Sequence, residues 1–133
     1  LDAMPWVQSI EVQEGFDPAK LSQLLGQLEQ VLISLKVNPS RAFHLKLRKI
    51  RRHRKTGMYM PSVKLIVVDP RETRSLWHEL GHWLEQENLV ETPAFSDADI
   101  ESEIKEKYPK GDCEKDMKAR WVEKKIHGLL RKV

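Results

Sequence analysis

Seven apolar residues, Leu21, Leu24, Leu25, Leu28, Val31, Leu32 and Leu35, recur at intervals of three and four. On a helix they form one leucine-rich stripe, and such a stripe must be buried against a second layer. The boundaries are also written locally. Asp17 suits the N-cap and Pro18 the first helical position, and Asn38-Pro39 is expected to end the helix.

The second layer is expected directly downstream. Ala42, Phe43, Leu45 and Leu47 alternate with His44, Lys46 and Arg48, the period of two that marks a half-buried strand. Thr56-Gly57 supplies a turn before Met58-Tyr59-Met60, and Val63 to Val68 (VKLIVV) reads as another strand. Pro61 cannot donate to a ladder, so this stretch is expected to carry a bulge or lie at a sheet edge. Asp69-Pro70-Arg71-Glu72 has a capping-box pattern and should open a helix running to about Glu87. Beyond Thr92-Pro93, Ser96 should cap a short acidic helix to about Tyr108. Pro109-Lys110-Gly111 should break that helix, and Asp112 should cap a last one to about Leu130, with Met117, Trp121, Val122, Ile126, Leu129 and Leu130 as its apolar side.

The expected fold is therefore compact α+β: a helix, a small sheet of two or three strands with helices on one face, and three further helices. Residues 1–16 show little periodicity and read as a lead-in with a short extended piece around Trp6 to Val12, ahead of one domain over 17–133. A chain of 133 residues has room for one core. No apolar run approaches the roughly 18 to 20 residues of a spanning helix. The opening LDAMPWVQSIEVQEG has neither the basic start nor the apolar run of a secretory signal. Cys113 is the single cysteine, so no intrachain disulfide can form. A cytoplasmic location without membrane partners is the expectation.

Charge is uneven beneath a net +3. Arg41 to Lys55 (RAFHLKLRKIRRHRK) holds eight Lys or Arg, two His and no acid. Such a stretch can neutralise phosphates, but no aromatic platform is interleaved for base stacking, which favours a solvated strand-and-turn surface.

The chemistry-bearing feature is WHELGHWLE, residues 77–85. In a helix His78 and His82 lie one turn apart on one face, where two imidazoles can bind a single zinc ion at about 2.0 to 2.1 Å. Glu79 sits about 100° round from His78 and would reach a metal-bound water rather than the metal, the position of a general base. Leu76, Leu80, Trp83 and Leu84 give the helix its apolar side, with Trp77 and Trp83 as core or subsite wall. Gly81 costs about 1 kcal/mol in a helix interior, a cost that close backbone approach near a metal would explain.

VKLIVVDPRETRSLWHELGHWLE, an edge-strand candidate followed by HELGH, resembles the zincin metallopeptidases, over roughly residues 17–87. TGMYMPSVKLIVVD ahead of HELGHWLE is also similar to the small zincin-like domains of phage head-morphogenesis proteins of the Mu F type, and to the ImmA/IrrE group. The resemblance implies that His78 and His82 are zinc ligands, that Glu79 is the catalytic acid/base, and that one zinc ion is the cofactor. It implies a metallopeptidase acting on a peptide or protein substrate through zinc-bound water, with the strand around Lys64 to Val68 adding an extended peptide. A phage-derived chain would be virion-associated. The alternative is a catalytically silent zincin-like domain that binds protein or nucleic acid through residues 41–55.

Catalytic zinc takes three protein ligands. The metzincin extension is absent, since Glu85 stands where its glycine would fall and no third histidine follows at that spacing. A carboxylate is expected instead, as in thermolysin-like zincins, where a Glu of the next helix serves. With Ile100, Ile104 and Tyr108 as the apolar side of the acidic helix, Glu101 lies at its border and is the expected third ligand. Asp97, Glu85 and Glu114 remain its competitors. Asp99, Glu103 and Glu106 point away. Tyr59, Tyr108 and Arg120 are candidates to stabilise an oxyanion, and His127 reads as a lone surface histidine.

Overall fold

A computed structural model of the chain describes residues 6–37, 43–50, 56–92 and 110–131. In chain order its elements are β1 (Val7–Val12), α1 (Pro18–Ser34), β2 (Phe43–Leu47), β3 (Gly57–Met60), β4 (Leu65–Val68), α2 (Thr73–Gln86) and α3 (Lys110–Arg131). The fold is α+β as expected. Its mixed sheet has four strands in the order β1-β2-β4-β3, one or two more than the sequence suggested. β1 and β4 flank β2 in parallel, and β3 runs antiparallel to β4.

The leucine stripe decides which side of the sheet is covered. Leu21, Leu24, Leu25, Leu28, Val31 and Leu32 of α1 are buried, as the spacing required. They share one core with Phe43, Leu45, Leu47, Ile66 and Val68 of the sheet and with Leu76, Trp77, Leu80, Trp83 and Leu84 of α2. Val122 and Ile126 of α3 close the same core. Phe43 packs its ring on Trp83 at 4.6 Å between centroids. The opposite sheet face carries Ser9, Glu11, His44 and Lys46, joined by a Ser9–His44 hydrogen bond of 2.6 Å and a Glu11–Lys46 ion pair of 3.6 Å. Among the described residues no helix is long and apolar enough to cross a membrane.

Several local expectations shift. The extended piece near Trp6 to Val12 is an edge strand of the sheet rather than a lead-in to it. β1 pairs with β2 from Val7↔Phe43 to Val12↔Leu47, and the indole of Trp6 donates to the Val37 carbonyl at 2.9 Å. The strand expected at an edge, β4, is interior, and β3 takes the edge. Pro61 lies in the turn between them, where its missing N–H removes no ladder bond. The same turn puts Lys64 at φ 51°.

Asp17 caps α1 as expected, accepting from the Ala19 amide at 2.9 Å. The helix stops at Ser34, short of Asn38-Pro39, with Lys36 in the left-handed conformation at φ 57°. Asp69 does not cap α2, which begins at Thr73 with no side-chain cap bond. Instead the buried Asp69 accepts from the amides of Arg71 (3.0 Å) and Ile50 (3.2 Å) and from both ends of the Arg71 guanidinium, Nε at 2.9 Å. It ties the end of β4 to the segment after β2. α3 begins at Lys110, inside the stretch read as a break.

Candidate metal centre

α2 buries Leu76, Trp77, Leu80, Trp83 and Leu84 and turns His78 and His82 toward α3, with each histidine partly exposed. The two rings meet edge to face, 4.8 Å between centroids. One donor atom each from His78, Glu79 and His82 fits within 4.8 Å, the arrangement of a group able to hold a metal ion.

α3 approaches α2 closely enough to join this group, and Gly81 permits it. A Cβ at position 81 would lie 2.7 Å from the Ala119 carbonyl oxygen. The close backbone approach expected at Gly81 is thus a helix–helix contact. It delivers two carboxylates to the histidines. Asp116 Oδ1 is 3.1 Å from His78 Nε2 and 3.9 Å from His82 Nε2. Glu123 Oε1 is 3.0 Å from His78 Nδ1 on the other side of the ring. Arg120 Nε holds the second oxygen of Asp116 at 2.9 Å, and His127 Nε2 is 3.5 Å from the second oxygen of Glu123.

The site shifts the titration of the two histidines in opposite directions. The hydrogen bonds to Asp116 and then to Glu123 push His78 up to about 10, so in the metal-free protein it is an imidazolium between two carboxylates. Burial, then the His78 charge, drives His82 down to about 4, leaving a neutral imidazole with a lone pair to offer. The His78 hydrogen bond holds Asp116 below the usual carboxylate range. Burial pushes Glu123 up, and the His78 hydrogen bond and charge outweigh it.

The spacing is compatible with a bound metal ion. Ligands at about 2.0 to 2.1 Å in a tetrahedron stand roughly 3.3 Å apart, and the separations of 3.1 and 3.9 Å from Asp116 to the two Nε2 atoms bracket that edge. With Glu123 on Nδ1, His78 Nε2, which faces Asp116, would be the atom to hold a metal, the carboxylate–histidine arrangement that orients metal ligands. Glu79 is held differently. Gly57, the first residue of β3, lies so close that a Cβ there would be 3.1 Å from Glu79 Cγ, Ser75 Cβ and Val68 Cγ1. Edge strand β3 therefore passes directly against the Glu79 side chain, which is buried at 9% exposure.

Glu101, the expected third ligand, lies outside the described residues, as do Asp97 and Tyr108. Asp116 was not among the sequence candidates. The available signal was its place three residues before Ala119, beside the buried stripe Ala119, Val122 and Ile126. Of the remaining candidates, Glu114 is turned to Lys118 at 3.5 Å and is 43% exposed, and Glu85 faces the same lysine at 3.9 Å. Neither is drawn to the histidines. His127 is no lone surface histidine, because Glu123 links it to His78. Tyr59 is packed beside Glu87 near the far end of α2, and burial followed by that charge pushes its hydroxyl up to about 12. Trp77 and Trp83 are core, 2% and 0% exposed. Of the basic 41–55 stretch, Arg51, Arg52 and Arg54 lie outside the described residues. Compared with known protein families, with curated sequences and with solved structures, the chain matches none.

Proposed function

We propose that this protein is a zinc-dependent metallopeptidase of the zincin type, with His78, His82 and Asp116 holding the metal and Glu79 as general acid/base. The observation that carries the reading is the convergence of Asp116 on the two histidines, beside a buried glutamate and an edge strand. A zinc ion bound there would polarise a scissile carbonyl and lower the pKa of a water molecule towards about 7.

The chain's own groups carry the remaining work. Glu79, placed against Gly57, takes a proton from the attacking water and returns it to the leaving amine as the C–N bond breaks. Glu123 fixes the His78 ring and its tautomer, and Arg120 steadies Asp116. An extended peptide adding along β3 would run its backbone past Glu79. β3 replaces the Lys64 to Val68 strand in that role, because β4 is enclosed between β2 and β3.

The test is metal analysis of protein purified without added zinc, alongside hydrolysis of a peptide mixture. About one zinc per chain and chelator-sensitive cleavage are expected. Glu79→Gln should keep the metal and lose cleavage by at least about a hundredfold. Zinc near zero with cleavage indifferent to chelator would refute the reading.

A further inference from the structure

Arg74, Arg120, Lys124, His127 and Arg131 line a cavity of about 510 Å³ between α2 and α3, with Glu123 among them. The four α3 residues follow spacings of four, three and four, one stripe on the helix. Arg74 stands one turn before His78 on α2. Four of the five carry permanent positive charge. Glu123, the one acid among the described lining residues, is engaged by His78 and His127. The cavity adjoins the histidine site through two of its lining residues, since Arg120 contacts Asp116 and Glu123 contacts His78.

We infer that this groove binds carboxylate side chains of the substrate, so that the protein takes acidic peptide segments. The inference rests on the metallopeptidase reading for its link to catalysis. The volume falls within the range of ligand pockets and suits a few side chains. Among the described residues no Phe, Tyr or Trp lines it, which favours carboxylates over stacked nucleic-acid bases. The position also sets the subsite. Arg74 is about 6 Å along α2 from His78 by helical rise, and an extended peptide advances about 3.3 Å per residue. The preferred Asp or Glu therefore lies about two to four residues from the scissile bond.

The test is binding, so that it reads out independently of cleavage. Glu79→Gln protein, with and without added zinc, is titrated into two fluorescent peptides that differ only in three glutamates or three glutamines, with anisotropy as the signal. The glutamate peptide should bind about tenfold tighter at about 50 mM salt, and the gap should close near 500 mM. Reversing two exposed cations, Lys124→Glu with Arg131→Glu, should abolish the preference. The neutral pair Lys124→Gln with Arg131→Gln, checked for folding by circular dichroism, should reduce it. Equal binding of the two peptides, or a preference untouched by both pairs, would overturn the inference. So would a single-stranded oligonucleotide that outcompetes the glutamate peptide and loses binding with the same substitutions. Absence of zinc and cleavage would sink the peptidase reading alone, because peptide discrimination is measured separately.

Discussion

Among the described glycines, Gly81 is the one where the Cβ added by substitution to alanine would meet the closest contact, and that contact is backbone. The new Cβ would sit 2.7 Å from the Ala119 carbonyl oxygen and 3.5 Å from Ala119 C and Cα. A carbon–oxygen contact settles at about 3.3 to 3.6 Å, so the two helices must separate by roughly 0.6 Å or more. Both partners are helix backbone, and neither can rotate aside. Overpacking of this kind costs about 1 to 3 kcal/mol, and the helix propensity of alanine returns about 1. The net expectation is a loss of up to about 2 kcal/mol in metal-free stability. The second effect is larger. Asp116 and Glu123 travel with α3, and a metal site tolerates only about 0.2 Å in its ligand distances, so zinc affinity should fall by at least about tenfold. Denaturant unfolding of the metal-free protein and competition against a chromophoric chelator measure the two quantities. Gly26 in α1 is the control, because an added Cβ there meets no heavy atom within 4 Å; Gly26→Ala should stabilise by up to about 1 kcal/mol. If Gly81→Ala behaves like Gly26→Ala and binds zinc normally, α3 does not form the centre as argued.

Asp116→Ala should lower zinc affinity by more than about a hundredfold, and Glu123→Gln by about ten- to a hundredfold, both read by chelator competition. Glu114→Ala should leave affinity unchanged, and a loss on Glu101→Ala equal to that of Asp116→Ala would transfer the third-ligand role to Glu101. Asp69 carries a pH-dependent part of stability. Its hydrogen bond from Arg71 lowers its pKa from 3.8 to about 2, against the opposing effect of burial. The folded value lies below the unfolded one, so the contribution is complete above about pH 5 and disappears as pH falls toward 2. It amounts to about 2 kcal/mol. The stability difference between the native chain and Asp69→Asn should shrink over that window, and a pH-independent difference would contradict it.

The outcome for Asp69 also shows where local pattern stops being decisive. Its spacing to Glu72 matches a capping box, but two amides and a guanidinium outside the helix compete for the same carboxylate. The amide and guanidinium of Arg71 lie only two residues on, but the Ile50 amide comes from nineteen residues away, and no short window around Asp69 contains it. The same holds for Glu123 and His127, which look like ordinary helix-surface groups until α2 is laid beside them.

What the sequence determined by itself is what lies within a few turns of chain. Asp17, Pro18 and the leucine spacing start and bury α1, the alternation around Phe43 makes β2, and Leu76 to Leu84 orient the histidine helix with His78, Glu79 and His82 on their proper faces. The physical reason is that caps and periodic burial act between near neighbours. Only the tertiary structure decided that β1 joins the sheet, that β4 is enclosed and β3 lies at the edge, and that Asp116 faces the histidines. Those depend on which surfaces meet across long loops, and at the centre on one glycine that lets α3 rest against α2.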